Sequence, residues 1–379
     1  MENPKQDKQP DESLWKASFF ELMRNKTAFA SLVVILLFTF SSIFAYLIIA
    51  DNTPNANNQY PEIPLKKAGY TVLFLKTETD LKVENPWHSW LTGFSKSYAQ
   101  VPFETINYGE GGVTLSLNGK DKIIAFTSLP KTISSLESLE DKKLYIQNKL
   151  VSKRTFWLGT DKYGRSVLSR LVLGVRVSLF AGFLAVLVSL LIGVTVGALG
   201  GYYGGWIDGL VMYFVNVTWA IPTLLLVFAI VLALGRGMGV VFLAIGLTMW
   251  VDVARIVRGQ VMETKNMLFV QAARAIGQSD FMILFRHILP NIMGPILVIT
   301  AANFATAILI EAGLSYLGFG INPPTPSLGN TLNENYGYAL SGNLVISFAP
   351  AIVVSLLVLC FNLLGTGLRD VFDVRKEEA

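Results

Sequence analysis

The chain alternates long apolar runs with short polar segments. Residues 27–50 carry no charged side chain, and at roughly 20 residues per crossing they predict one membrane-spanning helix. Residues 177–207 are again free of charge and too long for one upright span; after Asp208 a second apolar run covers 209–235. The break between them is expected within Gly200, Gly201, Tyr202, Tyr203, Gly204, Gly205 and Trp206. Paired glycines permit a tight turn there, and aromatic rings suit the membrane boundary. Pro222 is expected to bend the helix that follows. Further runs at 239–251, 291–310 and 344–368 bring the count to six spans. Unbroken runs of this length argue for helices over a β-barrel, whose strands show about ten residues of alternation.

Two segments depart from this pattern. Residues 51–155 are polar, open with Pro54, Pro61, Pro64 and Pro86, and contain no run capable of spanning. Val113, Leu115 and Leu117 alternate with polar residues, and Asn118-Gly119 then precedes the apolar 123–126, a strong hairpin signal. A second strand is expected at 70–75. This insertion is long enough for a small core of its own. His88 beside Trp87 reads as structural rather than as a ligand site. The second departure, 262–290, lies between two spans and predicts a helical hairpin on the membrane surface. Ala272, Ala273 and Ala275 favour helix, Gly277 permits the positive φ that ends it, Ser279 caps the next helix, Asp280 suits its positive end, and Pro290 closes the segment. Such a hairpin suits docking against another protein; the plainer alternative is an amphipathic connector.

Composition agrees with a membrane protein, since 52% of residues are apolar and only 15% charged. Basic residues set the orientation. Lys5, Lys8, Lys16, Arg24 and Lys26 precede the first span. The hairpin region carries Arg255, Arg258, Lys265, Arg274 and Arg286, and Arg369, Arg375 and Lys376 follow the last span, whereas 311–342 contains neither Lys nor Arg. Six spans place the three basic segments on one face, so the hairpin and both termini are expected in the cytoplasm. The resulting division is a cytoplasmic segment 1–26, a first span 27–50, an extracytoplasmic insertion 51–155, a core of five spans at 156–368 containing the hairpin, and a cytoplasmic tail 369–379. For 27–50 a cleavable leader competes, but the run is long and Ile48 spoils a small-x-small cleavage site, so a retained anchor is expected. Cys360 is the single cysteine, which excludes an internal disulfide. No basic stripe of the kind a nucleic-acid groove needs is present.

Four motifs in order resemble one family. They are Leu158-Gly159-Thr160-Asp161 through Gly164-Arg165, Gly201-Tyr202-Tyr203-Gly204-Gly205 with Asp208, the hairpin residues Ala272, Ala273, Gly277 and Leu289-Pro290, and Glu311-Ala312 through Leu317-Gly318-Phe319-Gly320 to Pro323-Pro324-Thr325-Pro326. Together they resemble the permease subunits of ATP-binding-cassette importers of the dipeptide, oligopeptide and nickel group, over the first helix and from about residue 156 onward. Three positions differ from that group's pattern: Gln271 stands where glutamate is usual, Ser166 where aspartate is common, and Leu328 where tryptophan is frequent.

The apolar runs and the resemblance together predict an all-α polytopic membrane protein with six transmembrane helices and a cytoplasmic coupling hairpin, to which the polar residues 51–155, longer than the simplest members of the group carry, add an inserted, partly β extracytoplasmic domain. The resemblance implies a second homologous permease, two cytoplasmic ATP-binding subunits, an extracytoplasmic solute-binding protein and membrane lipid as partners, with no nucleic acid. ATP and Mg would belong to the partner subunit, since this chain has no glycine-rich phosphate loop, and no cofactor, catalytic residue or metal is expected here. Gln271, Ala272, Ala273, Gly277, Asp280, Leu289 and Pro290 would couple to the ATPase, with His287 read as part of the same surface. Asn216, Thr218, Asn303 and Asn362 are candidates for lining the pathway, against the alternative of helix-to-helix hydrogen bonds. Glu311 is expected at the outer end of the fifth span, contacting substrate or pinning the next loop. Peptides, nickel complexes and peptide-like antibiotics stay open as substrates. An ion-coupled secondary transporter is the competing class, although its inverted repeats and mid-membrane charges are not found.

Overall fold

A computed structural model describes residues 20–78, 89, 92–94, 98–340 and 342–378. Lys5, Lys8, Lys16, Trp87 and His88 lie outside the described residues. Among the described residues five helices are long and apolar enough to cross a membrane, or six if one bent pair is a single span. They are α1 (Lys26–Ile43), α2 (Val167–Tyr203), the bent pair α3 (Gly205–Trp219) and α4 (Thr223–Leu234), α5 (Met238–Thr264), α7 (Met293–Tyr316) and α9 (Leu344–Glu378). Between α5 and α7 lies α6 (Leu268–Ala275), and α8 (Leu328–Asn335) precedes α9.

The break after α2 falls at Gly204, whose φ of +68° is followed by +55° at Gly205. Pro222 does more than bend its helix: α3 and α4 meet at 88°, with Pro222 as the N-cap of α4. Two helices outrun their apolar runs. α5 continues thirteen residues past Val251 because Val253, Ala254, Val257 and Val261 keep an inward stripe at helical spacing while the charged residues take the other side. α2 begins at Val167, ten residues before the charge-free run, and takes in the arginines at 170 and 176.

The chain divides into two compact units, one of Met1–Leu37, Phe180–Glu311 and Ser355–Ala379, the other of Phe38–Leu179 and Ala312–Val354. The second contains all the β structure. One sheet has the order β2-β1-β6, from β1 (Tyr70–Glu78), β2 (Tyr98–Phe103) and β6 (Val151–Phe156), antiparallel throughout. The other has the order β3-β4-β5, from β3 (Thr105–Tyr108), β4 (Gly112–Leu117) and β5 (Lys120–Ala125). The β4–β5 turn is the Asn118-Gly119 pair, with φ of +51° and +75° as a type I′ turn requires. Only Glu104 separates β2 from β3, so nearly one strand passes from sheet to sheet. Leu75, Phe103, Val113, Leu115, Leu129, Ile133 and Ile146 form one core cluster. Tyr60, Ile63, Val72, Phe74, Leu117 and Phe156 form another.

The segment 158–166 is a clasp within this unit. Gly159 and Gly164 both have positive φ, and a Cβ would lie 2.2 Å from Lys66 O at the first and 1.9 Å from Tyr60 O at the second. That close approach lets Tyr60 N bond Tyr163 O at 2.9 Å, Leu65 N bond Asp161 O at 3.0 Å, and Thr160 Oγ1 donate to Ile63 O at 2.6 Å. Asp161, buried, accepts from the backbone N–H of Tyr163 and Arg165 and from Arg165 Nε at 2.6 Å. The same guanidinium reaches Asn57 at 3.2 Å and Glu334 at 2.5 Å, and Arg170 also meets Glu334 at 3.2 Å. Two carboxylates thus face two arginines that would otherwise be buried alone. The departures from the family pattern sit quietly here. Ser166 Oγ accepts from Ser169 N at 3.3 Å, and Leu328 is fully buried against Gly174.

The clasp sets an expectation for stability. Arg165→Ala leaves buried Asp161 without its guanidinium and Glu334 with Arg170 alone, and is expected to destabilise by about 3–5 kcal/mol. Gly164→Ala combines a disfavoured φ with a backbone collision and is expected to cost about 1–3 kcal/mol. Thermal unfolding of the detergent-solubilised protein checks both; midpoints equal to wild type would contradict the clasp.

Candidate docking hairpin and its support

Between Thr264 and Met293 the chain folds into two short arms, all within the first unit. Lys265, Asn266 and Met267 turn the chain, with Gln271 Nε2 donating to Asn266 O at 2.9 Å. Gln271 therefore closes this turn through a neutral bond where the family pattern has a carboxylate. The first arm, α6, ends in paired bonds: Gln278 N donates to Ala273 O at 3.2 Å and Gly277 N to Arg274 O at 3.0 Å. With Gly277 at φ +84° this is the Schellman arrangement. Ser279 caps the second arm by accepting from Met282 N at 3.4 Å. That arm is α-helical at Asp280–Met282, π-helical at Ile283–Ile288 and α-helical again at Leu289–Asn291, with Pro290 in its last turn. His287 Nε2 and Gln278 Oε1 lie 2.7 Å apart, tying the second arm to the turn.

The hairpin has two unlike faces. Val270 and Ala273 from the first arm, with Ile283, Leu284 and Ile288 from the second, join one cluster with Ala198 and Tyr202 of α2, Val253, Val257 and Val261 of α5, and Ile292 and Ile296. On the other side Leu268 is 83% exposed, Ile276 81% and Phe281 70%, and the Phe281 and Phe285 rings lie 4.4 Å apart. Large apolar side chains left exposed on a surface hairpin mark a contact surface. Of the residues expected to couple, Gln271, Ala272, Gly277, Asp280 and Pro290 are exposed, Leu289 is half-buried and Ala273 is buried in the anchoring face.

The support beneath the hairpin was not read from the sequence. Gly193, Gly197 and Gly201 of α2 face α5 at helical spacing. A Cβ on them would lie 2.7 Å from Trp250 O, 2.4 Å from Ala254 O and 2.7 Å from Arg258 O. Lys265 Nζ donates to Gly201 O at 2.9 Å and to Tyr202 O at 3.3 Å, a cation on the carbonyl end of α2. Tyr202 Oη donates to Asp280 Oδ1 at 2.6 Å and accepts from Arg274 Nη2 at 3.4 Å, so one hydroxyl touches both arms. That bond holds the Arg274 guanidinium above even its usual high pKa. Asp208 accepts from Arg258 Nε and, at 2.6 Å, from Arg258 Nη2. A carboxylate in an apolar run demands such a partner, and that demand was the available signal.

The pathway candidates fall on three helices. Asn216 is exposed and Thr218 half-buried on α3, while Asn362 is exposed on α9. Asn303 is buried on α7 with its Nδ2 unpartnered. Among the described residues no hydrogen bond joins any two of the four. Glu311 is fully buried in the last two turns of α7.

With this geometry in view, comparison with known proteins is direct. Residues 179–378 match the family of binding-protein-dependent transport system inner membrane components, and residues 13–65 match the N-terminal TM domain of oligopeptide transport permease C. The chain belongs to that transporter family, in its peptide branch. It is 42% identical over 217 residues to the dipeptide transport system permease protein DppC of Bacillus subtilis strain 168, covering 57% of this chain and 68% of that protein. It is 45% identical over 217 residues to the glutathione transport system permease protein GsiD of Shigella flexneri serotype 5b, covering 57% and 71%. Among solved structures it is similar to an inward-facing MetNI methionine ABC transporter, with a TM-score of 0.45 and 21% identity, covering 53% of this chain and 96% of that one.

The turn at residue 277 yields a test in which space and backbone angle separate. Nothing lies within 4 Å of a Cβ there, so only φ opposes substitution. Gly277→Val is expected to lose most transport, because a β-branched residue resists positive φ at a cost of about 1–3 kcal/mol. Gly277→Asn, which tolerates that region, should retain most of it. Equal transport by both variants, measured in the reconstituted complex, would contradict the turn's role.

Proposed function

We propose that this chain is one permease subunit of an ATP-driven importer for peptides or related small solutes in a bacterial plasma membrane. It forms half of the pathway with a second homologous permease, and its hairpin seats on one of two cytoplasmic ATP-binding subunits. An extracytoplasmic binding protein delivers the solute, and both termini are cytoplasmic. The observation that carries this reading is the hairpin itself, anchored through one apolar face and presenting Leu268, Ile276 and Phe281, which the described residues leave exposed. Family membership supports a binding-protein-dependent mechanism, and relatives named for dipeptide and glutathione support short peptides as the solute class.

The chemistry of energy release then belongs to the partner, which holds ATP and Mg. This chain receives movement. α5 ends directly before the hairpin and α7 begins directly after it, so displacement of the hairpin tilts both helices and alternates access to the pathway. Gln271 does not prevent docking, because an exposed ion pair contributes only about 0–1 kcal/mol. Asn216, Thr218 and Asn362 are available to the pathway, whereas Asn303 is already enclosed by its own chain.

Affinity purification of the tagged chain from its native membrane is expected to bring down an ATP-binding subunit and a second permease. In proteoliposomes those components, with the binding protein, should accumulate a short peptide only when ATP is supplied. A cysteine at Ser279 should react with an impermeant thiol reagent from the cytoplasmic side alone. Uptake driven by an ion gradient without ATP, or labelling of residue 279 from outside, would overturn the reading.

A further inference from the structure

We propose that Tyr202 is a positioning residue that makes the hairpin one lever with the paired ends of α2 and α5, and so sets how much hairpin movement reaches the spanning helices. The inference rests on the reading of the hairpin as the ATPase contact and adds to it the joint through which the movement passes.

Covalently, the hairpin hangs from α5 by three turn residues, 265–267, and from α7 at Ile292. A turn that short is a natural hinge, and a hairpin free to rotate about it would absorb displacement locally. Tyr202 opposes that rotation. Its backbone is fixed twice over, by the glycine contacts that press α2 onto α5 and by Lys265 Nζ on the carbonyls of Gly201 and Tyr202. Its ring is buried among Val257, Val261, Ile283 and Ile288. Its hydroxyl donates to Asp280 on one arm and accepts from Arg274 on the other. Through these two bonds one side chain of a helix not contiguous with the hairpin is joined to both of its arms. Rotating either arm breaks a charge-assisted bond to a tyrosine that is buried as a residue, where a lost partner is replaced poorly. The joint therefore holds or opens as a unit, and while it holds, the hairpin moves with α2 and α5.

Tyr202→Phe keeps the ring and removes both bonds. In the assembled transporter it is expected to leave subunit assembly and ATP hydrolysis within about twofold of wild type while lowering solute moved per ATP hydrolysed about tenfold, through the loss of both bonds together. Amide exchange at residues 268–291 should speed up in the same complex while that of α5 stays unchanged. Arg274→Met, at an exposed position, removes one of the two bonds and should give a smaller drop of the same kind. A wild-type ratio of transport to hydrolysis in either variant would overturn the lever, as would loss of subunit assembly in Tyr202→Phe, which would make the residue a shaper of the docking face. The two readings fail separately. If Gly277→Val leaves assembly and uptake intact, the hairpin is not the contact; if it abolishes them while Tyr202→Phe keeps the wild-type ratio, only the lever falls.

Discussion

The structure depends on how closely α2 can approach α5. In hydrocarbon, lipid tails compete on equal terms with apolar side chains, so helices associate through tight backbone contact and internal polar bonds rather than through exclusion of water. Gly193, Gly197 and Gly201 provide that contact, and at each of them a methyl group would collide with the carbonyl of the facing helix. Everything beneath the hairpin follows from this approach. It brings Lys265 within reach of the end of α2, sets Arg258 opposite Asp208, and carries the Tyr202 hydroxyl to the two arms.

The second unit solves a different problem with similar parts. There the polar backbone of an irregular loop has to be satisfied, and positive-φ glycines let the loop touch a neighbouring strand of chain directly. Asp161 and Glu334 then neutralise the arginines that this close packing buries. Motifs that resemble a family signature are thus accounted for physically as clasps and close contacts. The exposed surface of the hairpin, where specificity for a partner would lie, carries little of the motif beyond Ala272, Gly277 and Pro290.

Much of this was legible in the chain. The break after α2 followed from paired glycines, the β4–β5 turn from Asn118-Gly119, and the end of α6 from Gly277, because each is a local backbone requirement that few residues meet. Helix ends were legible only where apolar runs end. α5 and α2 extend beyond theirs because a buried stripe at helical spacing tolerates charge on the opposite side, and neither an interval free of charge nor a count of apolar residues records that. The strands β2, β3 and β6 were missed because their burial comes from neighbours distant in sequence.

By itself, the sequence determined what depends on composition and local conformation: spanning helices, a hairpin too polar to span, an insertion with β structure, and the transporter family to which the chain belongs. Tertiary structure alone decided which charges meet, since Asp208 and Arg258 lie fifty residues apart, Arg165 and Arg170 reach Glu334 from far along the chain, and Tyr202 finds Asp280 and Arg274 on the two arms of the hairpin. The physical reason is that local conformation costs are set residue by residue, whereas the pairing of a buried polar group depends on which backbones can come close enough to bring its partner within about 3 Å.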